Sequence, residues 1–436
     1  MSTEAPAVGM SGASAPQNYF YHAFPNGLQV VGQRMPSLSS ITFGVQFGAG
    51  TKDEPQAQLG LAHLMEAMIF QGTKSRSVRQ LTEAFESLGA RKGGGAGAET
   101  SAYWCQIVAR QLDPALNLIA DVVLEPTFPA EEFEQMRQVA LQTIRRREDE
   151  PMSRLSDLLL EQFYFGSNLG RRMVGTRESV EALTPEDLRA YWERLYRPGN
   201  AMFAIAGNFD WDHLMSRLEA LFGRWSGKGE PAAAERPRLS NRVVIQHYEG
   251  QQEHIGLAAP NVTFGDPDYY AAQLLGEIFG GGMTSRLFVE VREKRGLVYA
   301  VSSRFGASSV TGRFHLYAGT TPEKAHQTMQ VLTEELHKLE AEGVTDDELR
   351  RAKVQIKSEL VMHAETSSAR MGAIAHSWWF EHRLKTIQEV REAIDAVTRE
   401  QILGLLKRFP LTDPLVVTAI GPCSREQLTE GLDIKG

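Results

Sequence analysis

Two cysteines in 436 residues, Cys105 and Cys423, exclude a disulfide framework and any zinc site built on thiolates. No apolar run approaches the roughly 18 residues that a membrane-spanning helix needs, so no membrane partner is expected. Basic charge is also scarce. The net charge is −8, and the single basic block, Arg145–Arg147, is followed at once by Glu148–Glu150. That is the pattern of a solvated helix end, and no nucleic-acid partner is expected. The glycine run Gly93–Gly97 lacks the Lys-Ser/Thr of a phosphate loop, and no G-x-G-x-x-G follows a strand, which argues against nucleotide binding. The first 18 residues, MSTEAPAVGMSGASAPQN, have neither a basic nor an apolar segment of a leader and read as a disordered terminus. A cytoplasmic protein is expected, or a periplasmic one if the true start lies upstream.

What is present is the composition of a soluble globular protein, 42% hydrophobic and 23% charged, long enough for several domains. SAYWCQIVA alternates like a strand and makes Cys105 a buried thiol. Composition shifts over Ser226–Asn241, SGKGEPAAAERPRLSN, the expected linker between halves at 19–225 and 242–436. The halves repeat each other. PAEEFEQMRQVALQTI (Pro129–Ile144) and TDDELRRAKVQIKSEL (Thr345–Leu360) both open long amphipathic helices with acids in the first turn. EAMIFQGTKSR (Glu66–Arg76) parallels GEIFGGGMTSR (Gly276–Arg286), each a helix entering a glycine turn after a strand-like run, ITFGVQFGAG or HIGLAAPNV. The expected fold is α+β, two homologous halves, each a mostly antiparallel sheet covered by helices.

On the helix at LGLAHLMEAMIFQGT, positions i, i+3 and i+4 share a face, so His63, Glu66 and Ala67 point the same way. Histidines at both ends would hold a zinc ion beside a glutamate base; here the second end is a methyl group. Read alone, His63 is an ordinary helix histidine.

The run GAGTKDEPQAQLGLAHLMEAMIFQGT resembles the active-site segment of the M16 peptidases, the family of pitrilysin and mitochondrial processing peptidase, with its H-x-x-E-H order. The resemblance continues in order through ARKGGGAGAETSAYW, ADVVLEPTF, EDEP, VGTRESVEALTPEDLRAYWERLYRPGNAMFAIAGNFD and GGGMTSRLFVEVREKRGLVYAVSS, covering nearly the whole chain from about Asn26. It implies that His63 matches the first zinc ligand and Glu66 the catalytic glutamate. Ala67 falls on the second ligand, and the third, a glutamate on a later helix, falls at Thr143, beside Gln142. Gly97 also departs from the family's usual asparagine. One imidazole of three protein ligands should not retain zinc, so no cofactor is expected in this chain and His63 and Glu66 read as remnants.

In VREKRGLVY, spacing alone suggests a surface arginine, Arg292, near a helix end at Gly296, and a half-buried strand tyrosine, Tyr299. The resemblance implies more: the pair matches the family's Arg/Tyr pair, which faces the zinc across the cavity and holds the substrate backbone. The expectation is a non-catalytic M16B-type subunit. It would bind extended peptides or small unfolded proteins through Arg292 and Tyr299, in a heterodimer with a zinc-bearing M16 paralogue. The alternatives are an active metallopeptidase with unusual zinc ligands, and a scaffold subunit like the core proteins of a respiratory complex.

Overall fold

The computed structural model describes residues 18–435. The expected disordered terminus lies outside them except for Asn18, whose carbonyl accepts from the Arg34 N–H. A first sheet has six strands: β1 (Tyr19–Ala23), β2 (Gln29–Arg34), β3 (Ser40–Phe47), β4 (Arg91–Ala96), β5 (Ser101–Val108) and β6 (Ala201–Gly207). They lie in the order β1-β2-β6-β3-β5-β4, with β2 and β6 parallel and the other neighbours antiparallel. A second sheet has β7 (Arg242–His247), β8 (Glu253–Asn261), β9 (Val298–Ala307), β10 (Gly312–Thr320) and β11 (Val416–Gly421). Their order is β7-β11-β8-β10-β9, again with one parallel pair, β7 with β11. Without β1, the two sheets agree strand for strand in order and sense. The fold is α+β, and the sequence repeat is a repeat of topology.

Strands apolar at nearly every position must be covered on both faces. In β6, Phe203 and Ile205 join the main core of the first unit, while Met202 and Ala204 face the other way. That second face is covered by the helix Ser367–Glu381, whose Ile374, Ala375 and Trp378 pack on Val31, Met202 and Ala204. Polar anchors fix it: Ser367 Oγ is 2.8 Å from Thr42 Oγ1, Arg370 Nε donates to Gln33 Oε1 at 2.7 Å, and Trp378 Nε1 donates to Gln29 Oε1 at 2.6 Å. In the second unit, the helix Pro151–Phe163 does the same, with Leu155 and Leu158 against Ile420 of β11.

The compact units therefore do not follow the contiguous halves 19–225 and 242–436. One gathers residues up to Ile144 with 171–233 and 362–386; the other gathers 145–170, 234–361 and 387 onward. Each takes a helix encoded in the other half. Residues 226–241 form no helix or strand. Cys105 on β5 is buried and free, its thiol pushed up to about 12 by burial. Among the described residues, no helix is long and apolar enough to cross a membrane.

Candidate functional site

In the first unit the helix Leu61–Met68 starts at Gly60, whose φ of 100° is a left-handed value that suits glycine. Its free N-terminal donors are met by a buried acid: Glu54 accepts from the N–H groups of Gly60 (3.1 Å) and Ala62 (2.7 Å). Burial pushes the Glu54 carboxyl up to about 8, against the pull of those two N–H groups and of Arg171. Arg171 in turn donates to the carbonyls of Thr51, Lys52 and Glu54. The segment leading into the helix is thus fixed by polar contacts inside the fold.

Leu61, Ala62, Leu64, Met65 and Met68 are buried, whereas His63, Glu66 and Ala67 are partly exposed along the opposite face. His63 Nδ1 lies 3.9 Å from Glu66 Oε2. The same oxygen accepts from Ala96 N–H at 3.2 Å, on the edge strand β4, whose outer side no further strand of this sheet pairs with. Thr143 lies on the helix Ala130–Asp149, and its hydroxyl donates back to Val139 O at 3.0 Å. The neighbouring Gln142 is exposed.

The zinc ion that the resemblance implies does not fit this donor set. One imidazole is present, the methyl of Ala67 cannot ligate, and Thr143 offers a neutral hydroxyl engaged with its own helix. Among the described residues, no three His, Cys, Asp or Glu side chains come together as a metal site. A tetrahedral protein zinc site takes at least three such donors.

In the second unit Arg292 sits on the wide turn of π-helix Phe288–Glu293. Gly296, at φ 59°, ends it: Gly296 N–H bonds to Arg292 O and Leu297 N–H to Val291 O, both at 3.0 Å. The Arg292 side chain is exposed, its guanidinium 5.1 Å from the Phe288 ring centre, and it has no ion pair among the described residues. Tyr299, near the start of the edge strand β9, is 43% exposed and donates to Gln252 Oε1 at 2.8 Å.

The surroundings of Tyr299 were not visible from spacing. Its ring lies over Gly319 of β10, where a Cβ would come within 2.4 Å of the Tyr299 oxygen. Tyr317 lies beside it, and burial together with this neighbour pushes the Tyr317 hydroxyl well above the usual tyrosine value. Tyr317 in turn bonds to His254 Nδ1 at 2.9 Å, and burial lowers that histidine. Only the strand register brings these groups together, Gly319 opposite Ala300 and Tyr317 opposite Ser302.

Residues 29–177 match the family described as Insulinase (Peptidase family M16), and residues 182–356 match the one described as Peptidase M16 inactive domain. The chain belongs to peptidase family M16. It is 31% identical to an uncharacterized zinc protease of Mycobacterium bovis, over 91% of this chain and 92% of that one. It is 28% identical to the uncharacterized zinc protease YmxG of Bacillus subtilis, over 91% and 97%. The fold matches the crystal structure of a peptidase M16 inactive domain from Pseudomonas fluorescens (TM-score 0.88, 24% identity, 93% and 98% covered). It also matches a chain of complex III2 from Candida albicans (TM-score 0.80, 22% identity, 95% and 97% covered).

Proposed function

We propose that this chain is a non-catalytic, substrate-binding subunit of a heterodimeric M16B zinc peptidase acting on peptides or small unfolded proteins. One observation carries the reading: two of the three ligand positions hold a methyl group and a self-bonded hydroxyl, while Arg292 and Tyr299 present exposed donors. The zinc belongs to a paralogous partner. The relatives named zinc proteases support the peptidase class for the assembly.

This chain's own contribution is binding and orientation. An arginine fork and a phenol donate hydrogen bonds to peptide carbonyls, and to an oxygen that gains charge as a carbonyl is attacked. Zinc, when bound by the partner, supplies the activated water. Glu66, bonded to the β4 edge and near one imidazole, has no metal-bound water to deprotonate. A second reading, an active peptidase with other ligands, takes support from the retained His63–Glu66 pair. The test is made on the purified full chain. Elemental analysis after dialysis is expected to give far less than one zinc per molecule, and an unstructured peptide is expected to stay intact until the paralogue is added. Stoichiometric zinc, with cleavage by the chain alone that Glu66→Gln abolishes, would establish the second reading instead.

A further inference from the structure

The second unit contains a cavity of about 590 Å³ between the end of the helix Tyr269–Gly280, the glycine turn after it, and the helix Asp346–His363. These elements repeat, in the other half, the ones that carry Ala67 and Thr143. In the register of the two paired segments, Glu277 takes the place of Ala67 and Glu359 that of Thr143. Both positions are carboxylates here.

The charges around the cavity are unequally matched. Glu348, on its wall, is engaged by Arg286, which donates to it at 2.5 and 2.8 Å. Arg350 and Arg351 are both engaged by Asp347. Glu359 accepts only a neutral hydrogen bond, from Gln355 Nε2 at 2.9 Å. Among the described residues, none makes an ion pair or a side-chain hydrogen bond with Glu277. Burial raises its pKa, and the nearby charge of Glu359 raises it further. Its carboxylate lies across the bare backbone of the glycine turn, where a Cβ on Gly281 would come within 2.1 Å of Oε2. The Ser285 hydroxyl on the same wall is buried, 5% exposed, and has no hydrogen-bond partner among the described residues. Ile278, Met283 and Val354 give apolar walls, and Met283 is 76% exposed at the rim.

We propose that this cavity holds the basic side chain of an extended peptide, its cation against Glu277 in the field of Glu359 and its methylene stem along Met283 and Val354. The inference rests on the peptide-binding reading above and adds a subsite to it. Among the described residues, no three His, Cys, Asp or Glu side chains converge here as a metal site. A cation relieves the repulsion between the two carboxylates, and a long aliphatic stem suits the walls.

The experiment uses the full chain labelled at the methionine methyl groups, with the Met283 resonance assigned by Met283→Leu. The probes are blocked pentapeptides Ala-Ala-Arg-Ala-Ala and Ala-Ala-Gln-Ala-Ala. The arginine peptide is expected to shift the Met283 methyl saturably, with the glutamine peptide at least tenfold weaker. Glu277→Gln is expected to weaken the arginine peptide at least tenfold with the thermal melt unchanged. A silent Met283, equal shifts by both peptides, or indifference to Glu277→Gln overturns the proposal. Fluorescence anisotropy with a longer labelled peptide separates the two readings. Binding there with a silent Met283 removes only this subsite; no binding anywhere removes the peptide-binding reading as well.

Discussion

Replacing Tyr299 by Phe removes one oxygen and leaves the ring in place over Gly319. In the free chain that oxygen donates to Gln252 Oε1 at 2.8 Å. The residue is 43% exposed, so water takes over as the partner of Gln252, and the folding cost stays within about 1 kcal/mol. Binding a peptide requires the hydroxyl to leave Gln252 for a peptide carbonyl. In the ground state this exchanges one neutral hydrogen bond for another and changes affinity little. An oxygen gaining charge in the transition state is a stronger acceptor than the Gln252 amide, and losing one such donor costs about 2.7–4 kcal/mol, roughly a hundredfold or more in rate. Half of the lower figure, about 1.4 kcal/mol, is already tenfold. Tyr299→Phe in this chain is therefore expected to lower kcat/KM of the reconstituted complex at least tenfold, with kcat falling alongside it. Steady-state kinetics measure the loss, and gel filtration checks that assembly is intact. A rise in KM alone would mark a uniform binding contact. Unchanged kinetics would refute the reasoning and favour the scaffold.

Restoring the donor set by Ala67→His with Thr143→Glu is expected to raise bound zinc several-fold over the parent chain, measured by elemental analysis. No gain would mean that the two positions do not converge with His63. Glu54 predicts a pH dependence. Its folded pKa of about 8 lies above the ordinary 4.5, so the folded state keeps a proton that the unfolded state has released. That contribution to stability is complete below about pH 4.5 and is lost as pH rises through about 8, at no more than about 1.4 kcal/mol per pH unit. Melting temperatures from pH 5 to 8 should fall for the parent relative to Glu54→Gln; parallel curves would count against it. Trp378→Ala removes a side chain that is 6% exposed, with its ring centre 4.2 Å from that of Tyr21. It is expected to cost about 3–5 kcal/mol in denaturant unfolding, and a loss under 1 kcal/mol would mean that the helix Ser367–Glu381 does not hold that sheet face.

The fold was legible where a local pattern carried it. The strand-like runs ITFGVQFGAG and HIGLAAPNV became β3 and β8, and the acids after Pro129 and Thr345 opened two long helices. The 3–4 spacing placed His63, Glu66 and Ala67 on the partly exposed face of their helix, because helical geometry is fixed within one turn. Long-range information was not legible. Nothing in PMSRLSDLLLEQF says which sheet it covers, since an apolar helix face fits any apolar sheet face of similar area. The grouping of Tyr299, Tyr317 and His254 depends on strand register, which is settled by pairing across the sheet. Glu277 reads in the sequence as a single acid near a helix end, which is usual; only the cavity beside it gives it meaning.

The crossing of one helix from each half into the other unit bears on how this chain comes into being. While the chain is being made, the second face of the first sheet, with Val31, Met202 and Ala204 upon it, lacks its covering helix until Glu381 has been added. A product cut at residues 226–241, or a message truncated there, leaves that face open to water and carries Leu155 and Leu158 without the strand they belong against. The two halves of the gene can resemble each other and still be unable to live apart.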